Sequence, residues 1–338
     1  MFLSRRAFLR LTAASPIALL PACKSDSGKI KIGVVTNNPE DFWTICEKGA
    51  TVAAKENDVE LLFRRPDKGD AAIQLNIVKE LVAQGVKGVA VSVIDPKEQA
   101  PELKNIAAQT NLFTMDNDAE GSDRLCYIGT DNYEAGKAVG RLVKEVMPNG
   151  GSIAIFVGQI TPINARLRFQ GVVDELAGKK DATGPTFGKY TLFRNEAITD
   201  DAKRAICVDN AKDALEKMKG AGEIGMVGLW AYNAPAILEA AKSKEMLSKV
   251  KIVSFDEYPD TLTAIQAGEI YATVVQDPYN FGFKSVELLA KIAKTGDKSI
   301  ATSNPIQNIP YRIVAKEAGK DRLDAKAFEA ELKRLMGK

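Results

Sequence analysis

Histidine is absent from the 338 residues. That removes His-based triads, histidine general bases and histidine metal ligands at once. The four cysteines, Cys23, Cys46, Cys126 and Cys207, include no C-x-x-C pair. A zinc ribbon or thioredoxin-type motif is therefore not expected. Charge of one sign is lacking too. The 46 Lys and Arg are interspersed with 44 Asp and Glu, leaving a net charge of +2, with no electrostatic footprint for nucleic acid. No apolar run is long enough to span a bilayer. There is no G-x-x-x-x-G-K-[ST], no G-x-G-x-x-G after the first strand and no G-x-S-x-G elbow, so the common nucleotide and hydrolase motifs are missing. An enzyme built from this chain would need paired carboxylates or a lysine, and no spacing singles out such a pair. The expectation is a non-enzyme with no cofactor and no metal. What is present is 45% hydrophobic and 27% charged residues, enough for a sizeable globular core.

The N-terminus reads as an address. Ser4-Arg5-Arg6-Ala7-Phe8-Leu9 resembles a twin-arginine signal, and a short apolar run broken by Pro16 and Pro21 follows. Leu20-Pro21-Ala22-Cys23 resembles a bacterial lipobox, in which the cysteine thiol is acylated and becomes the mature N-terminus. Residues 1–23 are read as an export signal, Cys23 as the lipidation site and 24–28 as a polar tether. A plain secretory signal with an incidental cysteine is the alternative. The expected location is periplasmic or cell-surface, with a lipid anchor as the only membrane contact. Cys46, Cys126 and Cys207 are read as buried free thiols.

From residue 29 short β-branched runs alternate with helical patterns. Strands are expected at 29–36, 59–64, 88–94 and 112–115, then at 151–157, 189–194, 223–230, 251–255, 271–276 and 309–316. Helices are expected at 41–56, 70–84, 97–109, 132–147, 164–178, 200–219, 233–243, 259–267, 279–295 and 325–335. This alternation implies α/β architecture with parallel sheets and helices on both faces. The strands are too many for one open sheet, so two are expected. No Gly/Ser-rich or Pro-rich linker divides them, which implies a chain that crosses between two lobes more than once.

Ligands bind open parallel sheets beyond the carboxyl ends of the strands. The residues there are Thr36 to Trp43, Asp116-Asn117-Asp118, Gly158-Gln159 leading to Asn164, Arg166 and Arg168, Trp230 to Asn233, Asp256-Glu257 and Gln276-Asp277. Amides, carboxylates, a guanidinium and aromatic rings suit a sugar. Planar polar groups bind its hydroxyls in pairs, and rings cover its C–H faces.

Several stretches carry a family resemblance. They are Ile32-Gly-Val-Val-Thr36, Phe42-Trp43, Lys48-Gly49-Ala50, Met115-Asp116, Tyr127-Ile-Gly-Thr-Asp131-Asn132, Ala165-Arg166, Ile252-Val-Ser-Phe255-Asp256 and Tyr271-Ala-Thr-Val-Val-Gln276. In that order they resemble periplasmic sugar-binding proteins of the ribose-binding type over nearly all of 29–316. The resemblance implies two doubly wound parallel-sheet lobes joined by three crossover segments. It places residues 29–130 plus 277–304 in a first lobe and 131–276 plus 305–338 in a second. It implies a monomer that closes on its ligand by a hinge motion and delivers it to the permease of an ABC transporter or to a chemoreceptor. Ring stacking falls on Phe42, Trp43 and Phe255. Hydroxyl contacts fall on Asp116, Arg166, Asp256 and Gln276, with Thr36 and Glu40 in the first loop. This chain carries Asn117 where ribose-type members have an arginine, Glu40 where they have an amide, and Tyr232-Asn233 in place of an Asn-Asp pair. Those changes leave the architecture alone but bear on whether ribose is the ligand. Nucleosides, inositols and signalling sugars fit similar clefts.

Each residue also has a plainer role. Asp256 could cap the following helix, and Asp116 could serve its own turn. Phe42 and Trp43 point about 100° apart on a helix, so one can be core and the other cleft; Trp43 is assigned to the cleft. Arg166 could be a solvated helix residue, as Arg168 is read to be. The same fold also serves as the sensor of LacI-type repressors, but those have a DNA-binding motif where this chain carries its signal.

Overall fold

The computed structural model describes residues 28–40 and 42–336. The signal, Cys23 and all of the tether but Gly28 lie outside them. The first sheet begins with β1 (Lys31–Val35), β2 (Glu60–Arg64), β3 (Gly88–Val91), β4 (Asn111–Met115) and β5 (Cys126–Gly129). Helices α1 (Phe42–Glu56), α2 (Ala71–Ala83) and α3 (Pro96–Ala107) link the first four. Asp70 and Asp95 start α2 and α3 by accepting from backbone N–H groups of the first turn, as N-caps do.

The chain crosses at 130–131 into α4 (Asn132–Val146) and a second sheet. That sheet holds β6 (Gly151–Val157), the short strands β7 (Thr186–Phe187), β8 (Tyr190–Leu192) and β9 (Ile198–Thr199), then β10 (Ile224–Gly228), β11 (Val250–Phe255) and β12 (Ala272–Val275). Its helices are α5 (Ile163–Ala177), α6 (Arg204–Met218), α7 (Asn233–Ser243) and α8 (Pro259–Ala267). The chain then returns to the first lobe for α9 (Pro278–Thr295), α10 (Ser299–Thr302) and β13 (Ile306–Asn308). It ends in the second lobe with β14 (Arg312–Ala315), β15 (Leu323–Asp324) and α11 (Ala325–Met336).

The strand orders are β13-β5-β4-β3-β1-β2 and β15-β14-β12-β11-β10-β6-β8-β7, with β9 beside β6. The first sheet is wholly parallel. The second is parallel except where β14 pairs with β12 and β7 with β8. Each sheet contains the 2-1-3-4-5 order of a doubly wound fold, counted from β1 in one lobe and from β6 in the other. Such an order has a switch point, and the ligand crevice opens at the carboxyl ends beside it. Apolar helix faces cover both sides of each sheet, giving two cores per lobe. Among the described residues no helix is long and apolar enough to cross a membrane.

Three expectations shift. The third crossing was expected at 304/305, but Ile306 pairs with Tyr127 in the first sheet, so the chain crosses at 309–311. The strand expected from Ile309 accordingly starts at Arg312, because the Ile309 N–H is taken by Gly129. The helix expected from Asp200 starts at Arg204, because Asp201 and Ala202 stand at φ 55° and 57°, outside the helical region.

Candidate functional site

Asp116 is the first residue beyond β4, and Asp256 the first beyond β11. Both strands are fourth in their lobe's winding, so the two carboxylates occupy equivalent places. Both have left-handed backbones, with φ 60° and 65°. Such conformations are uncommon outside glycine and are held only by surrounding bonds. The Asp116 N–H donates to Ile128 O at 3.0 Å and its carbonyl accepts from the Tyr127 hydroxyl at 3.0 Å. The Asp256 N–H donates to Val274 O at 2.7 Å and its carbonyl accepts from the Thr273 hydroxyl at 2.7 Å. Both aspartates are buried.

Arg168 is the cation near both carboxylates. It is 2% exposed, with Nη1 at 3.7 Å from Asp256 Oδ2 and its guanidinium 3.8 Å over the Phe255 ring. Nε donates to Asn132 Oδ1 at 2.9 Å and Nη1 to Leu229 O at 3.0 Å. The close packing of α4 and α5 sets this position. A Cβ at Gly136 would lie 2.3 Å from Arg168 O, and one at Gly171 would lie 2.3 Å from Tyr133 O, so only glycine allows the approach.

Burial pushes the Asp116 carboxyl up to about 6, against the pull of Arg168 and a hydrogen bond from Ser92 Oγ at 2.8 Å. Burial raises Asp256 as well, again opposed by Arg168 and by Gln276, whose Nε2 donates to Asp256 Oδ1 at 2.9 Å. Burial lowers Arg168 from its usual value.

The lobes touch through Asn117, whose Oδ1 accepts from Asn164 N at 3.3 Å and whose amide nitrogen donates to Val93 O. Beyond the strand ends of the two lobes stand buried polar atoms with no partner. They are Asn37 Oδ1 after β1, Asn164 Oδ1 after β6, Arg168 Nη2, Trp230 Nε1 after β10 and Gln276 Oε1 after β12. A buried polar atom left unbonded costs about 1–3 kcal/mol. Acceptors and donors in this state suit a ligand that both donates and accepts. Among the described residues no cluster of His, Cys, Asp and Glu suits a metal ion.

The predicted residues divide. Asp116, Asn117, Asp256 and Gln276 come together. Arg166 does not, for its side chain is exposed and donates to the carbonyls of Ile160 and Thr161. Arg168, expected to be solvated, takes the central place instead. The two are about 200° apart on α5, so they cannot share a face. Trp43 is 1% exposed in the first-lobe core, and its Nε1 donates to Asn38 Oδ1 at 3.0 Å. Its assignment to the cleft is therefore corrected; Phe42, packed edge-on against it at 5.0 Å, is half-buried. The Phe255 face is covered by Arg168 rather than free for stacking. Thr36 is buried and bonds to Asn38 O at 2.8 Å, and Glu40 is exposed.

Tyr232 and Asn233 both bond to Asp200. The tyrosine hydroxyl donates to Oδ1, and Asn233 Nδ2 donates to Oδ2 at 3.0 Å. Beside them is the half-buried Trp230, whose ring stands edge-on to Tyr232 at 6.5 Å. A Cβ at Gly158 would lie 2.2 Å from the Trp230 ring. Sequence reasoning missed Ser92, Asp200 and Asn132 as supports. Ser92 stands just past β3 at the crevice edge, the one local signal that could have identified it. Cys46, Cys126 and Cys207 are unpaired and buried, and burial raises all three thiols.

Residues 32–298 match the family described as periplasmic binding protein domain. The D-allose-binding periplasmic protein of Escherichia coli is 25% identical over 275 residues, covering 77% of this chain and 82% of that protein. The D-galactose/methyl-galactoside binding periplasmic protein of Haemophilus influenzae is 26% identical over 334 residues, covering 92% and 96%. The crystal structure of GanP, a glucose-galactose binding protein from Geobacillus stearothermophilus, superposes with a TM-score of 0.76 at 28% identity, over 85% of this chain and 98% of that one. A solute binding protein from Bacillus halodurans with bound myo-inositol shares the fold, with a TM-score of 0.76 at 20% identity over 91% and 99% of the two chains. The matched segment spans both lobes, and the chain belongs to the periplasmic binding protein domain family.

Proposed function

We propose that this protein is the solute-binding component of an ABC transporter and captures a monosaccharide between its lobes. One observation carries the reading: two buried aspartates from opposite lobes stand about one guanidinium, among unpartnered polar atoms. A ring of hydroxyls would donate to Asp116, Asp256 and Gln276 and accept from Arg168, and the Trp230 indole face would cover its C–H side. Ligand that bridges both lobes favours the closed state by its differential affinity. The closed shape is what the permease would recognise. Sugar-binding relatives at 25–28% identity support the substrate class. Lobe boundaries at 130–131, 276–277 and 309–311, export by the 1–23 signal and anchoring through Cys23 belong to the same reading. The protein binds without turnover and acts as a monomer.

A thermal-shift screen against pentoses, hexoses, inositols and nucleosides tests it. A ligand at 100 times its dissociation constant should stabilise the fold by about 2.7 kcal/mol. A sugar that shifts the melt and is recovered chemically unchanged is the expected result. No response to any of the four classes would remove the reading.

A further inference from the structure

Asp200 is a buried carboxylate that the sugar reading leaves without a role. It directly follows β9. Each of its oxygens accepts from a side chain of the segment that joins β10 to α7. The Tyr232 hydroxyl donates to Oδ1, and Asn233 Nδ2 donates to Oδ2 at 3.0 Å. Asn233 is itself fully buried and passes the contact on to Trp230. Its Oδ1 accepts from Trp230 N at 2.9 Å, and its own N–H donates to Trp230 O at 3.0 Å. Its Nδ2 also reaches Cys207 Sγ at 3.4 Å. Both polar atoms of the Asn233 side chain are therefore committed within the protein.

The segment held in this way adjoins the site. Leu229, just before it, accepts from Arg168 Nη1 at 3.0 Å. Trp230 opens it, with its ring so close to Gly158 that a Cβ there would lie 2.2 Å away. Gly158 also anchors the loop that carries Asp200. Its carbonyl accepts from Asp200 N at 3.2 Å and from Ala202 N at 3.3 Å. Asp201 and Ala202 stand at φ 55° and 57°, conformations uncommon outside glycine that persist only where the surroundings hold them. One residue, Gly158, thus fixes the Asp200 loop through its carbonyl and makes room for the Trp230 ring through its missing side chain.

We propose that Asp200 is a positioning residue for sugar binding: through Asn233 and Tyr232 it fixes the segment that presents Trp230 beside Arg168. This role rests on the sugar reading of the site. Asp200 touches no ligand and acts only through its two donors. A carboxylate accepts at both oxygens, whereas an amide in its place would turn an N–H pair toward one of the two side chains. With the carboxylate removed, two donors lose their acceptor, and the Trp230 segment loses its tie to the loop after β9.

The test uses three variants of the full chain in a Trp43→Phe background, where Trp230 alone emits. Asp200→Ala removes both acceptors, and Asn233→Asp sets one carboxylate against another. Combining Asn233→Asp with Asp200→Asn restores a donor facing a carboxylate, with Tyr232 donating to the new amide oxygen. Without sugar, Trp230 emission should move to longer wavelength in D200A and N233D and return to the parental maximum in D200N/N233D. Affinity for the sugar found in the screen should fall about tenfold in each single variant and recover in the double. Parental emission and affinity in D200A overturn the proposal, as does a folded D200N/N233D that behaves like N233D. Lost urea stability with unmoved Trp230 emission overturns it too, since that marks a purely structural group. If neither single variant folds, the double decides: parental emission and affinity uphold the role, and loss of either overturns it. The emission measurement contains no sugar. A failed screen therefore removes the sugar reading and leaves the tie between Asp200 and Trp230 to be judged by emission, whereas unmoved emission removes the tie and leaves the sugar reading standing.

Discussion

The two lobes present the same device with different supports. Each places a left-handed aspartate at the end of its fourth strand, with the N–H bonded to a fifth-strand carbonyl and the carbonyl capped by a fifth-strand hydroxyl. In the first lobe the carboxylate is steadied by a neutral hydroxyl, Ser92, from the end of the third strand. In the second the corresponding position is Leu229, whose carbonyl instead accepts from Arg168. That arginine lies against Asp256 and covers Phe255. The lobes therefore share a backbone solution and differ in charge. The first contributes an anion, and the second contributes an anion with its cation and most of the unpartnered polar atoms.

If that asymmetry governs binding, Arg168→Ala has the largest effect. It leaves Asp256 buried without its cation, so the second lobe should lose about 3 kcal/mol or more, read by urea denaturation. Affinity for the sugar found in the screen should fall about a hundredfold or more. A mild phenotype would mean that the lobes are electrostatically alike after all.

Asp116→Asn sharpens the comparison by pH. The folded carboxyl is raised to about 6 from 3.8, so its contribution to stability is full below the free value and is lost as pH rises through the folded one. Stability curves of wild type and variant should therefore diverge across this window, with the variant showing the flatter decline. Asp256 and Glu257 retain part of the slope because both are also raised. Parallel curves would show that Asp116 is solvated rather than buried.

Trp230→Ala should cost about tenfold in sugar affinity, near 1.4 kcal/mol. The chain has two tryptophans, and Trp43 is in the core. A ligand-induced change in fluorescence should therefore persist in Trp43→Phe and vanish in Trp230→Phe. The smallest effect belongs to Arg166→Ala, which should stay within about 0.5 kcal/mol in stability and leave affinity unchanged, in contrast to its neighbour two residues on.

Much of this was legible in the residues. Alternating β-branched and amphipathic stretches determined the α/β class, and the missing linker pointed to repeated crossings. Asp116, Asp256 and Gln276 were readable because each stands just past an apolar strand, and the end of a parallel strand faces the crevice whatever the packing. The short β13 was not readable, since three residues carry no period and their pairing partner is far away in the chain.

What only the tertiary structure decided is the rotational phase of the helices. Neither Arg166 against Arg168 nor Phe42 against Trp43 can be resolved from local pattern, because both pairs sit in mixed helix starts. The choice depends on which helix face meets the sheet. For α5 that is set by a glycine contact with α4, between residues over thirty positions apart. The placement of Arg312, held to Glu331, likewise follows from segments that meet only in the folded chain. The order of the elements, and the strand ends that carry the site, were written locally in the sequence. The partner each charged group obtains was not, because partners are chosen by packing between distant segments.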